Sequence, residues 1–149
     1  MSDAPLSQSL IGTWRLVSRE DRTASGERRI DPGLGADPIA LLVYDRGGNF
    51  AAQFMKRDRQ ASSPGPAAAA GPNNSRAVGG YDAYFGSYTV DDAAGTVTQR
   101  LQGALSAENV GLVLTRSMQV ADDELVIRLD TASADGTPVV RTLRWTRAG

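Results

Sequence analysis

Cysteine and histidine are both absent from this chain. Without cysteine there is no disulfide framework, no thiolate nucleophile and no Cys-ligated metal. Without histidine the usual general base is missing, and with it the Ser-His-Asp triad and His-rich zinc or non-haem iron sites. Any acid–base chemistry falls to carboxylates, Tyr, Lys, Arg, Ser, Thr or a positioned water. Long apolar runs are lacking too, and nothing approaches the roughly 18 residues of a membrane span. The opening MSDAPLSQSL has neither the basic stretch nor the apolar core of a secretory signal, so a cytoplasmic location is expected. With a formal charge of −1 there is no excess of positive charge for nucleic acid or an anionic membrane, and neither is expected as a partner. Glycines are spread among turns rather than gathered before a helix. The carboxylates of Asp91-Asp92, Asp122-Asp123 and Asp135 also fall in turns, so neither a cofactor nor a metal is expected.

What the chain does contain is a series of short strands. At 149 residues, 41% hydrophobic and 22% charged, it is one domain with enough length to bury a core. Residues 1–9 are polar and expected to be flexible, which leaves 10–149 for the domain. Residues 11–20 alternate in part: Trp14 and Leu16 share one side, and Arg15, Val17 and Arg19 the other. Residues 23–26 are a turn signal, and the two prolines and two glycines of 31–38 make that stretch a loop. The clearest hairpin joins 39–44 to 49–55 through Asp45-Arg46-Gly47-Gly48. Residues 58–78 then change character, with Pro64, Pro66 and Pro72 among Ser, Ala and Gly. Residues 67–70 have room for one helical turn, but their neighbours forbid a long helix. A loop of that length is usually a lid, a binding loop or disordered. Further strands are predicted over 81–90, 96–102, 111–120, 124–130 and 139–147. Turns about every ten residues and no convincing helix predict an all-β fold. Short connections make it a single antiparallel up-and-down β-barrel of about eight strands, with one long Pro/Ala/Gly-rich loop.

Six stretches carry a family likeness. They are Gly12-Thr13-Trp14-Arg15-Leu16-Val17-Ser18, Leu42-Val43-Tyr44 with Gly48, Ala83-Tyr84-Phe85-Gly86-Ser87-Tyr88, Gly95-Thr96-Val97-Thr98, Val110-Gly111 and Leu143-Arg144-Trp145. Together they resemble the bacterial lipocalin-like domain family, over roughly residues 10–147. No one motif is strong; order and spacing carry the likeness. The resemblance implies a small calycin-type barrel with an internal cavity. Related barrels serve as ligand carriers or as cyclases and isomerases in natural-product pathways. It also implies that Trp14 plugs one barrel end beneath an arginine of the last strand, Arg144 or Arg147. The chain departs from the family pattern at Gln99-Arg100, where a histidine often follows Thr-Val-Thr, and at 106–109, which lack the usual Pro and Trp. No role resting on that histidine carries over.

Alternation places Leu112, Leu114, Arg116, Met118 and Val120 on one strand face. It is the better core face, and it draws Arg116 inside. A buried guanidinium costs several kcal/mol unless paired, so Arg116 needs a carboxylate such as Glu20 or Glu108, a phenol network or an anionic ligand. It is either a structural ion pair or a group that grips a ligand carboxylate or polarises a carbonyl. Tyr84 and Tyr88 share a face with Gly86 between them, where glycine suits a tight bend or room for a ligand. Tyr44 lies on the face of Leu42 and Ala40, and Gln99 on that of Val97 and Leu101. These tyrosines either line a cavity or are half-buried packing. Candidate catalytic residues are therefore Arg116, Tyr84 and Tyr44. Candidate ligand-binding residues are Tyr88, Gln99, Leu114, Met118, Gln53, Phe54 and Leu101. The charge run Lys56-Arg57-Asp58-Arg59 is a solvated strand end or a gate at the barrel mouth.

Three functions fit these residues. One is a barrel that binds a small, largely apolar molecule with a polar or anionic end. Another is a cofactor-independent cyclase, isomerase or lyase that shapes and polarises a polyketide-like or terpenoid substrate. The last is a barrel filled by its own side chains. The expected interior is apolar and aromatic with one guanidinium, and a homodimer stays open.

Overall fold

Period-two patterning and short turns lead the chain into one antiparallel hairpin after another. The computed structural model of the chain describes residues 4–59 and 77–149. Its strands are β1 (Gly12–Arg22), β2 (Arg28–Arg29), β3 (Ile39–Tyr44), β4 (Asn49–Met55), β5 (Tyr81–Asp91), β6 (Thr96–Ala104), β7 (Val113–Ala121), β8 (Glu124–Ala132) and β9 (Pro138–Arg147). A one-turn helix α1 (Leu6–Ser9) precedes them, and a 3₁₀ turn (Ala107–Asn109) joins β6 to β7. Every strand pairs antiparallel with its neighbour, and β9 returns to pair with β1. Eight strands thus form a closed barrel, with β2 as a short extra strand on the end of β1.

β3 and β4 occupy the residues predicted for the clearest hairpin, and the later strands differ from prediction by one or two residues. β2 was not anticipated. Residues 6–9, expected to be flexible, make a helical turn whose Ser7 donates from backbone and hydroxyl to Asp92 at 2.8 and 2.7 Å. Most of the predicted 58–78 loop, including its helical turn at 67–70, lies outside the described residues.

The two barrel ends differ. At one, Trp14 is fully buried, its indole N–H donates to Leu10 O at 3.0 Å, and the Arg147 guanidinium stacks 4.3 Å from its ring centroid. Arg147 also donates to the carbonyls of Ser9 and Ile11, which ties the segment before β1 over that end. Of the two arginines expected above Trp14 it is therefore Arg147 that stacks. Arg144 points outward toward Glu124. The other end carries the longer connections β1–β3, β4–β5 and β6–β7, and it is the mouth.

Three local features set what faces inward. A bulge between Leu16 and Ser18 shifts the β1 register against β9. The extra residue reverses the alternation beyond it, so Val17 stands exposed while Arg19 and Asp21 turn inside. The sequence reading, which put Arg19 on the same side as Arg15 and Val17, is overturned there. On β4, Phe50, Ala52 and Phe54 point inward, so Gln53 between them is outside and exposed. Neighbouring strand residues cannot both face a cavity, and the placement of Gln53 beside Phe54 as a ligand contact fails for that reason. On β5, a Cβ on Gly86 would stand 1.8 Å from the Arg100 carbonyl oxygen. Gly86 marks a close crossing of β5 over β6 and not room for a ligand.

Candidate functional site

The inner halves of the strands leave a cavity of about 50 Å³ below the mouth. One water takes about 10–15 Å³ on this measure, so the cavity as it stands is a few waters in size, and a ring-sized ligand enters it only as the lining side chains move apart. Its polar side chains form two groups.

The group at the mouth is ionic. Arg141, on the inward face of β9, donates from Nε and Nη2 to the two Asp21 oxygens at 2.8 and 3.0 Å. Arg19 donates to Asp31 Oδ2 at 3.1 Å, and that oxygen also lies 4.0 Å from Arg141. All four side chains are largely buried. Asp31 comes from the loop between β2 and β3, held by the Gly33 N–H at 2.8 Å, and the same loop tucks Leu34 into the core. Burial and then the neighbouring Arg141 lower the pKa of Arg19, while Asp31 and Asp21 oppose that shift. The interior therefore holds three guanidiniums with Arg116, not the one expected.

Deeper in the barrel lie Arg116, Tyr44, Tyr84 and Gln99. Arg116 is 6% exposed. Burial lowers its pKa, nearby Tyr84 and Tyr44 oppose the shift, and Arg141 adds to it. Gln99 donates to the Tyr44 hydroxyl, whose own outward contact is the Met118 thioether at 3.9 Å. Tyr44 is fully buried, which pushes its pKa far up, so it stays a phenol at any ordinary pH. Phe54 stacks near Tyr84 at 6.5 Å and meets Trp145 edge-on at 5.8 Å, giving the cavity flat aromatic walls.

Of the residues singled out by sequence, Arg116, Tyr44, Tyr84, Gln99 and Phe54 line this cavity. Leu101, Leu114 and Met118 are buried in the barrel core outside its lining. Tyr88 is half-buried nearer the closed end, in edge contact with Tyr44, and its hydroxyl donates to Asp45 O at 2.6 Å. Glu20, offered as a partner for Arg116, lies outside and faces Arg22. Glu108 is exposed, where Ser106 donates to it. Sequence reasoning missed Arg19, Asp31, Asp82, Arg141 and Trp145, all of which line the cavity. The clean alternation Val139, Arg141, Leu143, Trp145 on β9 was the available signal for two of them. Arg19 had no such signal, because its inward turn depends on a bulge.

Among the described residues, no group of three or more His, Cys, Asp or Glu is placed to hold a metal ion. No helix among them is long and apolar enough to cross a membrane. No match was found among curated proteins. A lipocalin-like domain family, by contrast, matches residues 11–148. With a closed eight-stranded barrel plugged by Trp14 and matched along almost its whole length, the chain belongs to the lipocalin-like domain family.

Proposed function

We propose that the barrel binds a small molecule with an apolar body, whose carbonyl or anionic oxygen is received by Arg116. The observation that carries this reading is the convergence of Arg116, Tyr44, Tyr84 and Gln99 on one cavity. A guanidinium on an inward face, among phenols and aromatic walls, suits recognition of one oxygen on a flat molecule. Native mass spectrometry of the purified protein tests for a retained ligand, and calorimetry with benzoate tests the anchor. Arg116→Ala should weaken benzoate binding by about 1–3 kcal/mol, the loss typical of a charge-assisted hydrogen bond. Unchanged affinity in a folded variant removes Arg116 from the site.

A second reading is favoured by Tyr44, a buried phenol held by Gln99 beside Arg116. Such a pair could polarise a substrate carbonyl, and the cavity would then act as a cofactor-independent isomerase or cyclase. On that reading, Tyr44→Phe abolishes turnover of a co-purified substrate while its affinity stays within about tenfold, the scale of one neutral hydrogen bond. Retained turnover excludes this reading.

A further inference from the structure

Trp145 carries the inference. Its side chain is 1% exposed and lines the cavity, yet its indole N–H has no hydrogen-bond acceptor among the described residues. The indole nitrogen donates only, so nothing but an acceptor can satisfy it. The other tryptophan makes the contrast: Trp14 is equally buried, and its N–H meets Leu10 O at 3.0 Å. The fold supplies an acceptor to the plug and none to the cavity wall.

The neighbouring polar groups lean the same way. Arg116 has donors alone. One hydrogen bond joins Gln99 to Tyr44, and whichever way the amide is turned the pair keeps donor hydrogens beyond that bond. The sulfur 3.9 Å from the Tyr44 hydroxyl is a weak acceptor. Carboxylates do line the cavity, but Asp31 and Asp82 enter from the mouth end, and Asp31 is engaged by Arg19. Asp82 Oδ1 is itself buried without a hydrogen bond among the described residues, and away from that end the lining groups are the donors Trp145 and Arg116 with hydroxyls and an amide that both donate and accept.

We infer that Trp145 is a ligand-binding residue and that the ligand presents an acceptor oxygen to its N–H, as a conjugated carboxylate or enolate does. An ammonium brings donors alone and leaves the Trp145 N–H unpaired, and a buried unpaired donor is strongly selected against. This rests on the reading of the barrel as a small-molecule site, which it sharpens in ligand class.

The test uses the full chain and its two indole N–H signals in a ¹H–¹⁵N spectrum, one per tryptophan. Benzoate, benzylamine and toluene are the probes. Benzoate should move the Trp145 signal downfield and leave the Trp14 signal in place. It should also bind more tightly than benzylamine. Trp145→Phe should weaken benzoate about tenfold or more while toluene changes by less than about twofold. Should that variant fail to fold, the wild-type titration decides alone. Benzoate binding that depends on Arg116 but leaves the Trp145 signal unmoved overturns this inference and spares the proposed function, as does benzylamine binding as tightly as benzoate. If neither benzoate nor toluene binds, both readings fall.

Discussion

Replacing Asp21 with alanine removes one half of the most buried ion pair in the described structure. Asp21 is 3% exposed and Arg141 5%, joined by two hydrogen bonds of 2.8 and 3.0 Å. Without Asp21, Arg141 keeps, among the described residues, only Asp31 at 4.0 Å and still faces the like charge of Arg19. An uncompensated buried guanidinium costs about 3–5 kcal/mol. In a domain of this size that corresponds to a fall in Tm of roughly 6–20 °C. Removing both charges, as Asp21→Leu with Arg141→Met, should recover most of the loss, since an apolar pair of similar volume is often neutral against a buried ion pair. The exposed Arg144–Glu124 pair at 3.5 Å serves as the control, where Glu124→Ala should cost about 0–1 kcal/mol. Urea unfolding followed by far-ultraviolet circular dichroism reads all four proteins. A single substitution at Asp21 costing less than about 1 kcal/mol, or a double variant as unstable as the single, refutes the claim that this cluster is dry.

Two further outcomes are expected. Gly86→Ala drives a methyl into the Arg100 carbonyl at 1.8 Å, backbone against backbone, and should destabilise by about 3 kcal/mol or more, whereas Gly111→Ala meets no atom within 4 Å and carries only the backbone strain of its φ of +91°, about 1–2 kcal/mol; equal losses from the two in thermal melts would count against the close crossing. Burial raises the pKa of Tyr44 in the fold above its unfolded value near about 10, so the unfolded chain binds fewer protons at high pH. Its contribution to stability is whole below about pH 10 and is lost as pH rises beyond that. Tyrosinate absorbance should therefore show one phenol ionising only together with unfolding, and Tyr44→Phe should remove that step; a complete set of phenols titrating in the folded protein would contradict the burial.

Much of this arrangement is legible in strict alternation. On β7, Leu114, Arg116 and Met118 fall inside as their period demands, and the β3–β4 hairpin is bounded by its own turn residues. Gln99 and the tyrosines follow from the same rule. The rule fails where backbone geometry intervenes. The β1 bulge carries Arg19 and Asp21 inward against the period of the residues before them. Asp31 reaches Arg19 from a loop, and its position depends on how the chain packs after β2, which no local pattern expresses. The ionic half of the cavity was therefore hidden, while its phenolic half could be read directly. Gln53 is a different case, since parity alone excludes it once Phe54 faces in.

The seam between β1 and β9 has a consequence for assembly. Every other pairing joins strands that are next to each other along the chain or, for β1 and β3, separated by β2 alone, so each closes a shorter loop. Asp21 and Arg141 are 120 residues apart, and closing so long a loop costs about 3 kcal/mol more than a hairpin loop of about four residues. Until those edges meet, the sheet has two open borders, and two ions destined for the interior stand in water on opposite sides of the gap. Hydration keeps that unclosed form from docking its borders onto another chain, because charged groups on a free edge resist such pairing. The same residues that hold the finished cylinder dry at its mouth thus protect the unfinished one.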